Sequence, residues 1–128
     1  MQTVSKGAAG EVLAARFLRE KGYTILSTNY RIRQGEIDII AAAEPYIAFV
    51  EVKTRRQSAL YTPREAVHPA KQRRIVQTAA IFLRTHPTPL QPRFDVVEII
   101  TADDNPMQVL EWTHILNAFD VEGLGAAF

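Results

Sequence analysis

Cysteine is absent from the 128 residues. That excludes a disulfide framework, a thiolate-bound zinc and a cysteine nucleophile, and it fits a reducing compartment. Nowhere does the chain approach the roughly 20 consecutive apolar residues of a membrane-spanning helix. No apolar run follows a basic start either, so we expect no signal peptide and a cytoplasmic location. Histidine is scarce, with three residues. His68 and His86 each precede a proline and His114 stands alone, so none has metal-ligand spacing. A glycine-rich phosphate loop and a nucleophile elbow are also missing. The most informative absence concerns positive charge. All 15 Lys and Arg lie at or before Arg93, against 7 acids there, a balance of +8; the other 7 acids follow without a single cation. A basic majority segment points to a polyanionic partner. Ordinary decoration of solvated faces is the alternative.

The length suits one compact domain spanning residues 1–128, and there are no repeats or linker-like stretches. A first helix is expected from Lys6 to Lys21, with Ser5 as N-cap and Gly22 as the left-handed residue after its end. Tyr23 to Arg33 reads as a strand, Gln34-Gly35 as a turn, and Glu36 to Ala41 as a second strand. Glu44-Pro45 is the next turn signal. Tyr46 to Thr54 is a third strand, whose run Ile47-Ala48-Phe49-Val50 implies burial on both faces. These strands should form an antiparallel meander. After a loop over Gln57 to Val67, His68-Pro69 opens a second helix that ends before Pro87. The proline-rich stretch Thr85 to Pro92 is an irregular connection. Phe94 to Thr101 is a fourth strand, and Met107 to Trp112 a fifth after the turn at Asp103-Asp104-Asn105-Pro106. A helix between a hairpin and a further strand implies a crossover, hence an α/β fold with a mixed sheet flanked by helices.

The chemistry concentrates on the second and third strands. Alternation places Glu36, Asp38 and Ile40 on one face and Ile37 and Ile39 on the other, while Glu51 and Lys53 share a face with Ile47 and Phe49. A hairpin turning at Glu44-Pro45 pairs residues whose numbers sum to about 89 or 91, which sets Asp38 opposite Glu51 or Lys53; a slip of one residue would separate them. Two carboxylates and an ammonium among Ile, Val and Phe need partners or a metal. Paired carboxylate oxygens suit a hard cation such as Mg²⁺, and a lysine beside them can act on an attacking water or on charge at phosphorus. The same three residues can equally form a structural salt bridge.

Polar residues also sit inside apolar helix stripes: Glu11 with Ala14, Ala15 and Leu18, and Gln72 with Ile75, Val76 and Ala79. Each can mark the edge of an apolar face; together with the strand carboxylates they outline a polar pocket. The second helix begins Lys71-Gln72-Arg73-Arg74, basic residues that oppose the helix dipole unless a phosphate arrives there. Arg31, Arg33, Arg55, Arg56 and Arg64 would extend that surface, and Tyr61 in the loop either stacks on a base or packs.

Four blocks carry a resemblance: Gly35-Glu36-Ile37-Asp38-Ile39-Ile40, Phe49-Val50-Glu51-Val52-Lys53-Thr54-Arg55, Lys71-Gln72-Arg73-Arg74 and Arg93-Phe94-Asp95-Val96-Val97. With the closing His114-Ile115-Leu116-Asn117-Ala118-Phe119, they resemble the YraN-like (UPF0102-type) family of bacterial proteins over nearly the whole chain. That family is regarded as part of the PD-(D/E)xK nuclease superfamily, similar to Holliday junction resolvases. The resemblance implies a restriction-endonuclease-like core. It makes Asp38 the motif aspartate, Glu51 and Lys53 its E-x-K, Glu11 a helical glutamate and Gln72 the helix glutamine, with Ile37 where the motif's nominal proline would stand. Asp38, Glu51 and Glu11 would then hold Mg²⁺ or Mn²⁺. Arg31, Arg33, Arg55, Arg56, Lys71, Arg73 and Arg74 would bind nucleic acid, DNA ahead of RNA, with branched structures among the candidate substrates. A homodimer stays open. The alternatives are a binding module that turns nothing over and a protein-interaction domain whose E-x-K is structural.

Overall fold

The computed structural model describes residues 6–59 and 67–119. Its elements are α1 (Lys6–Glu20), β1 (Thr24–Ile32), β2 (Gly35–Ala43), β3 (Tyr46–Arg56), α2 (Pro69–Thr85), β4 (Gln91–Ala102) and β5 (Asn105–Ile115). The five strands form one sheet in the order β1-β2-β3-β4-β5. Pairing is antiparallel except between β3 and β4. A parallel pair cannot be joined by a tight turn, and α2 supplies the crossover. The fold is therefore α/β with a mixed sheet, as the alternation of elements implied.

Local chemistry sets the boundaries. The His68 ring accepts a hydrogen bond from the Ala70 N–H at 3.1 Å, and Pro69 follows as the first residue of α2, where a missing N–H costs nothing. Gly22 takes φ +98° after α1, and the Tyr23 N–H returns to the Leu18 carbonyl at 3.0 Å, as a glycine-terminated helix does. Ser5, the expected N-cap, lies outside the described residues. β4 starts at Gln91 instead of Phe94. Pro92 is tolerated in it because β5 pairs with β4 only from Val96 onward, so the strand is an edge at that point. Among the described residues no helix is long and apolar enough to cross a membrane.

The sheet has a core on each face. Ile47 and Phe49 of β3 join Ile75, Val76 and Phe82 of α2; Ala48 and Val50 join Ala14, Ala15 and Leu18 of α1. The expected double burial of β3 holds. The expected alternation along β2 does not: Ile37 and Ile40 both pack on the α2 side while Ile39 packs on the α1 side. The break falls at Asp38, where the ladder between β2 and β3 ends.

Among the described residues one charged group has no exposed surface at all. Asp95 of β4 is 0% exposed and has every lone pair occupied. Arg93 donates from Nε at 2.9 Å and from Nη2 at 2.7 Å, His114 Nε2 bonds at 2.8 Å, and the Asn117 N–H donates at 3.0 Å. Lys21 Nζ lies 2.6 Å from His114 Nδ1. An ammonium only donates, so the His114 proton is on Nε2, facing Asp95. His114 thus does not stand alone: it ties β5 to β4 and to the end of α1. Burial alone would raise the Asp95 carboxyl; the bonds from His114, Arg93 and Asn117 outweigh it and hold it below the usual carboxylate range.

Replacing Asp95 with Asn should cost about 3–5 kcal/mol, because Arg93 is left half-buried without its counter-charge. Urea unfolding measures this, and a loss below about 1 kcal/mol would contradict it. Since the folded pKa is depressed, this stability is complete above the unfolded value near pH 4 and vanishes as pH falls through the folded one. The acid-side slope of wild-type stability should flatten in Asp95→Asn.

Candidate active site

Hydrogen bonding between β2 and β3 runs from Ala43↔Tyr46 to Ile39↔Val50 and then stops. Beyond that point β2 pairs only with β1, through Arg31↔Glu36 and Ile32↔Gly35. β3 pairs only with β4, from Glu51↔Val96 to Arg56↔Thr101. The sheet forks, and Asp38 and Glu51 stand at the crotch as the next pair in a register whose sums are 89. Asp38 Oδ2 accepts the Val52 N–H at 2.8 Å, a proton that a strand carbonyl would otherwise take. A carboxylate thereby substitutes for the missing rung and is fixed against β3.

Asp38 carries the largest perturbation toward neutrality in the described structure. Burial pushes its carboxyl up, the negative charge of Glu51 pushes it further, and Glu11 adds to both, against the downward pull of the Val52 N–H; the result is about 8, from an ordinary 3.8. Glu11 reaches Asp38 from α1 and is one of the causes that raise its carboxyl. Crowded carboxyls that keep a proton at neutral pH are the donor set a hard divalent cation relieves.

Glu51 is 6% exposed and already has cations. Lys71 Nζ, from the first turn of α2, lies 2.5 Å from Glu51 Oε1, and Lys53 Nζ lies 3.4 Å from the same oxygen. Burial lowers the Lys71 pKa, but the hydrogen bond and charge of Glu51 and the charge of Asp38 outweigh it and leave it raised. The salt bridge that the pattern also allowed does exist. It satisfies Glu51 and does not bring Asp38 down. Among the described residues, no three His, Cys, Asp or Glu are gathered tightly enough to hold a metal ion as they stand; at Glu51 the two ammoniums take a cation's place. Asp38, Glu51 and Glu11 are oxygen donors of the kind a hard divalent ion takes, with Lys71 and Lys53 already on Glu51.

The other expected residues divide. Gln72 donates from Nε2 to the Val67 carbonyl at 3.0 Å. It secures the entry to α2, and its amide is not aimed at the carboxylates. Arg31, Arg33, Lys71 and Arg74 line one recess of about 510 Å³ between the β1–β2 turn and α2. Gly35 in its wall lets the hairpin lie directly on α2: a Cβ there would fall 2.7 Å from Thr78 Oγ1. Arg55 and Arg56 were expected at this mouth and point elsewhere. Arg55 Nε pairs with Glu98 Oε2 at 2.9 Å, and Arg56 Nη1 donates to the Asp103 carbonyl at 3.2 Å. Arg55 is thus paired with a carboxylate on β4 and Arg56 with a backbone carbonyl in the turn after it. Arg73 is exposed and does not line the recess. Tyr61 and Arg64 lie outside the described residues. The reading of Lys71 as a phosphate ligand overlooked its bond to Glu51, for which a contact 20 residues apart in sequence leaves no local signal.

A family model described as "Uncharacterised protein family UPF0102" matches residues 10–99. The chain belongs to this family. A UPF0102 protein of Chlorobium phaeobacteroides is 46% identical over 117 residues, covering 88% of this chain and 92% of its own length. One from Caldanaerobacter subterraneus is 41% identical over 123 residues, covering 93% and 100%. One from Symbiobacterium thermophilum is 48% identical over 103 residues, covering 80% and 87%. Glu11, Asp38, Glu51, Lys53 and Lys71 of this UPF0102 protein all fall inside the matched segment.

The raised pKa of Asp38 sets a stability profile with a definite sign. Stability from the protonated form is fully present below the unfolded value near 3.8 and is lost as pH rises through about 8. Asp38→Asn keeps an acceptor for Val52 and has no charge to lose. At pH 8.5 in metal-free buffer it should melt higher than wild type, by about 4 °C for each 1 kcal/mol relieved. The gap should close at pH 4 to 5. An Asn variant that melts lower at both pH values would show that Asp38 is held as a stable anion.

Proposed function

We propose that this UPF0102 protein is a metal-dependent endonuclease acting on nucleic acid, DNA ahead of RNA, with a restriction-endonuclease-like core of the PD-(D/E)xK type. The observation that carries the reading is Asp38: a half-buried carboxyl pushed up to about 8 by its surroundings, with Glu51 and Glu11 against it at a fork in the sheet. Placing like charges together in an apolar setting costs stability, and such arrangements concentrate where a cation or a reaction uses them.

Asp38 and Glu51, with Glu11 from α1, would hold Mg²⁺ or Mn²⁺. The bound ion supplies charge neutralisation at phosphorus and a more acidic water. The chain's residues do the remainder. Lys53, at the rim of the site beside Glu51, presents an ammonium to the attacking water or to charge developing on the phosphate. Arg31, Arg33 and Arg74 hold the backbone in the recess beside it. Buried Ile39, Val50 and Phe49 next to the carboxyls lower the local dielectric and strengthen each of these interactions. A second reading, a nuclease-like module that binds without cutting, is favoured by one observation: Lys71 and Lys53 already neutralise Glu51.

Cleavage of duplex, single-stranded, flap and four-way-junction DNA with Mg²⁺ and with Mn²⁺ tests the first reading. Asp38→Asn and Glu51→Gln should abolish cleavage and metal uptake together. Lys53→Ala should keep the metal and slow the chemical step by about 100-fold or more, the scale of removing one preorganised charge-stabilising group. Affinity for DNA should fall steeply with salt, because each phosphate neutralised releases counterions. Binding without cutting on every substrate would transfer the conclusion to the second reading. Salt-independent affinity would count against both.

A further inference from the structure

The recess between the β1–β2 turn and α2 is charged out of proportion to its size. Four cations line its about 510 Å³, with Glu36 as the one acid, and that acid is tied to Arg31 at 3.1 Å. Arg33 and Arg74 have no ion-pair partner among the described residues. Concentrated positive charge in a concavity is an oxyanion site in search of its ligand.

Lys71 belongs to this recess and to the carboxylate cluster at once. It lines the cavity, and its ammonium rests on Glu51. Its side chain is 35% exposed, and a lysine is a point charge on a flexible four-carbon stem that can turn between two neighbours. Glu51 would keep Lys53, at the looser distance of 3.4 Å.

We propose that the recess is a subsite for a phosphate-type oxyanion and that Lys71 is its gate: an anion seated beside Arg33 and Arg74 draws Lys71 off Glu51 and opens that carboxylate to a divalent cation. The proposal rests on the metal-binding reading above and adds an order to it. Without the anion, Lys71 occupies Glu51 and the cation competes with an ammonium. With the anion, Lys71 has a new partner and the cation meets a free oxygen. Anion and cation therefore strengthen each other's binding, and by linkage each does so by the same factor.

Titration calorimetry with Mn²⁺ tests this in the full chain, with and without sulfate at fixed ionic strength. Sulfate serves as a tetrahedral anion that scarcely binds the metal. Wild-type protein should bind Mn²⁺ about 10-fold more tightly in sulfate, a coupling within the usual range between linked sites, and sulfate should bind more tightly by the same factor in Mn²⁺. Lys71→Met should take up Mn²⁺ more tightly than wild type without any anion and lose the sulfate dependence. R33Q/R74Q should weaken sulfate binding and shrink the coupling while leaving Lys71 in place, which guards against a folding defect in the Lys71 variant. A parallel arm replaces sulfate with a short DNA duplex. Coupling with both means that an oxyanion alone opens the gate; coupling with the duplex alone means that the polymer backbone is the ligand. Mn²⁺ affinity that ignores sulfate, the duplex and Lys71→Met alike overturns the gate and leaves the metal site standing. No Mn²⁺ uptake by any variant under any condition overturns the metal reading itself, and the gate with it.

Discussion

Two acids that repel each other, Glu51 buried and Asp38 half-buried, set the terms for the rest of this molecule. Asp38 and Glu51 sit where β2 and β3 part. Glu51 has its companions in Lys53 and Lys71. Asp38 has a backbone N–H and another carboxyl, and so it keeps its proton to about pH 8. The fork is what brings this about. Were the ladder to continue past Ile39↔Val50, Val52 would find its acceptor on a neighbouring strand and Asp38 would not be held against β3. The same parting of the strands separates the hairpin carrying Arg31 and Arg33 from β3, and α2 fills the space between.

Asp95 provides the control within the same chain. It has no exposed surface, where Asp38 is half-buried, yet its carboxyl is displaced in the opposite direction. Burial acts the same way on both; what differs is the company. Asp95 receives a guanidinium, an imidazole and a backbone N–H, all donors. Asp38 receives one N–H and two acids. A carboxyl surrounded by donors is a structural joint, here between β4, β5 and the end of α1. A carboxyl surrounded by its own kind is disfavoured as an anion and holds its proton to higher pH.

Much of the frame could be read directly from residue order. Glycine, proline and turn-forming residues marked the ends of α1, β2 and α2, and the run Ile47-Ala48-Phe49-Val50 announced a strand buried on both faces. The hairpin at Glu44-Pro45 put Asp38 and Glu51 in reach of each other, and the observed sum of 89 was one of the two expected. What eluded that reading was non-local. Strict alternation assigned Ile37 and Ile39 to one face, whereas the ladder's end lets Ile37 change sides. Gln72 followed the helix stripe correctly, but the carbonyl it bonds belongs to the segment leading into α2. Arg55, Arg56 and Lys71 were grouped by charge; their partners Glu98, Asp103 and Glu51 come from other elements, and only the folded chain brings them within 3 Å or so. His114 looked solitary because Asp95 and Lys21 lie 19 and 93 residues away from it.

The order of strands gives the chain's lopsided charge a direction. β1, with Arg31 and Arg33 at its outer end, is one lateral edge of the sheet; β5, reached through Asp103 and Asp104 and carrying Glu111, is the other. Both hairpin tips lie at the open end of the fork, Arg31 and Arg33 at one and Asp103 and Asp104 at the other. Tips of opposite charge give that end of the sheet a local electric moment even though the formal net charge is only +1. In the field of a polyanion it experiences a torque more than an attraction. Such a field would turn the Arg31 tip forward before any contact is made, and that alignment would fade once ionic strength shortens the screening length to less than the width of the sheet.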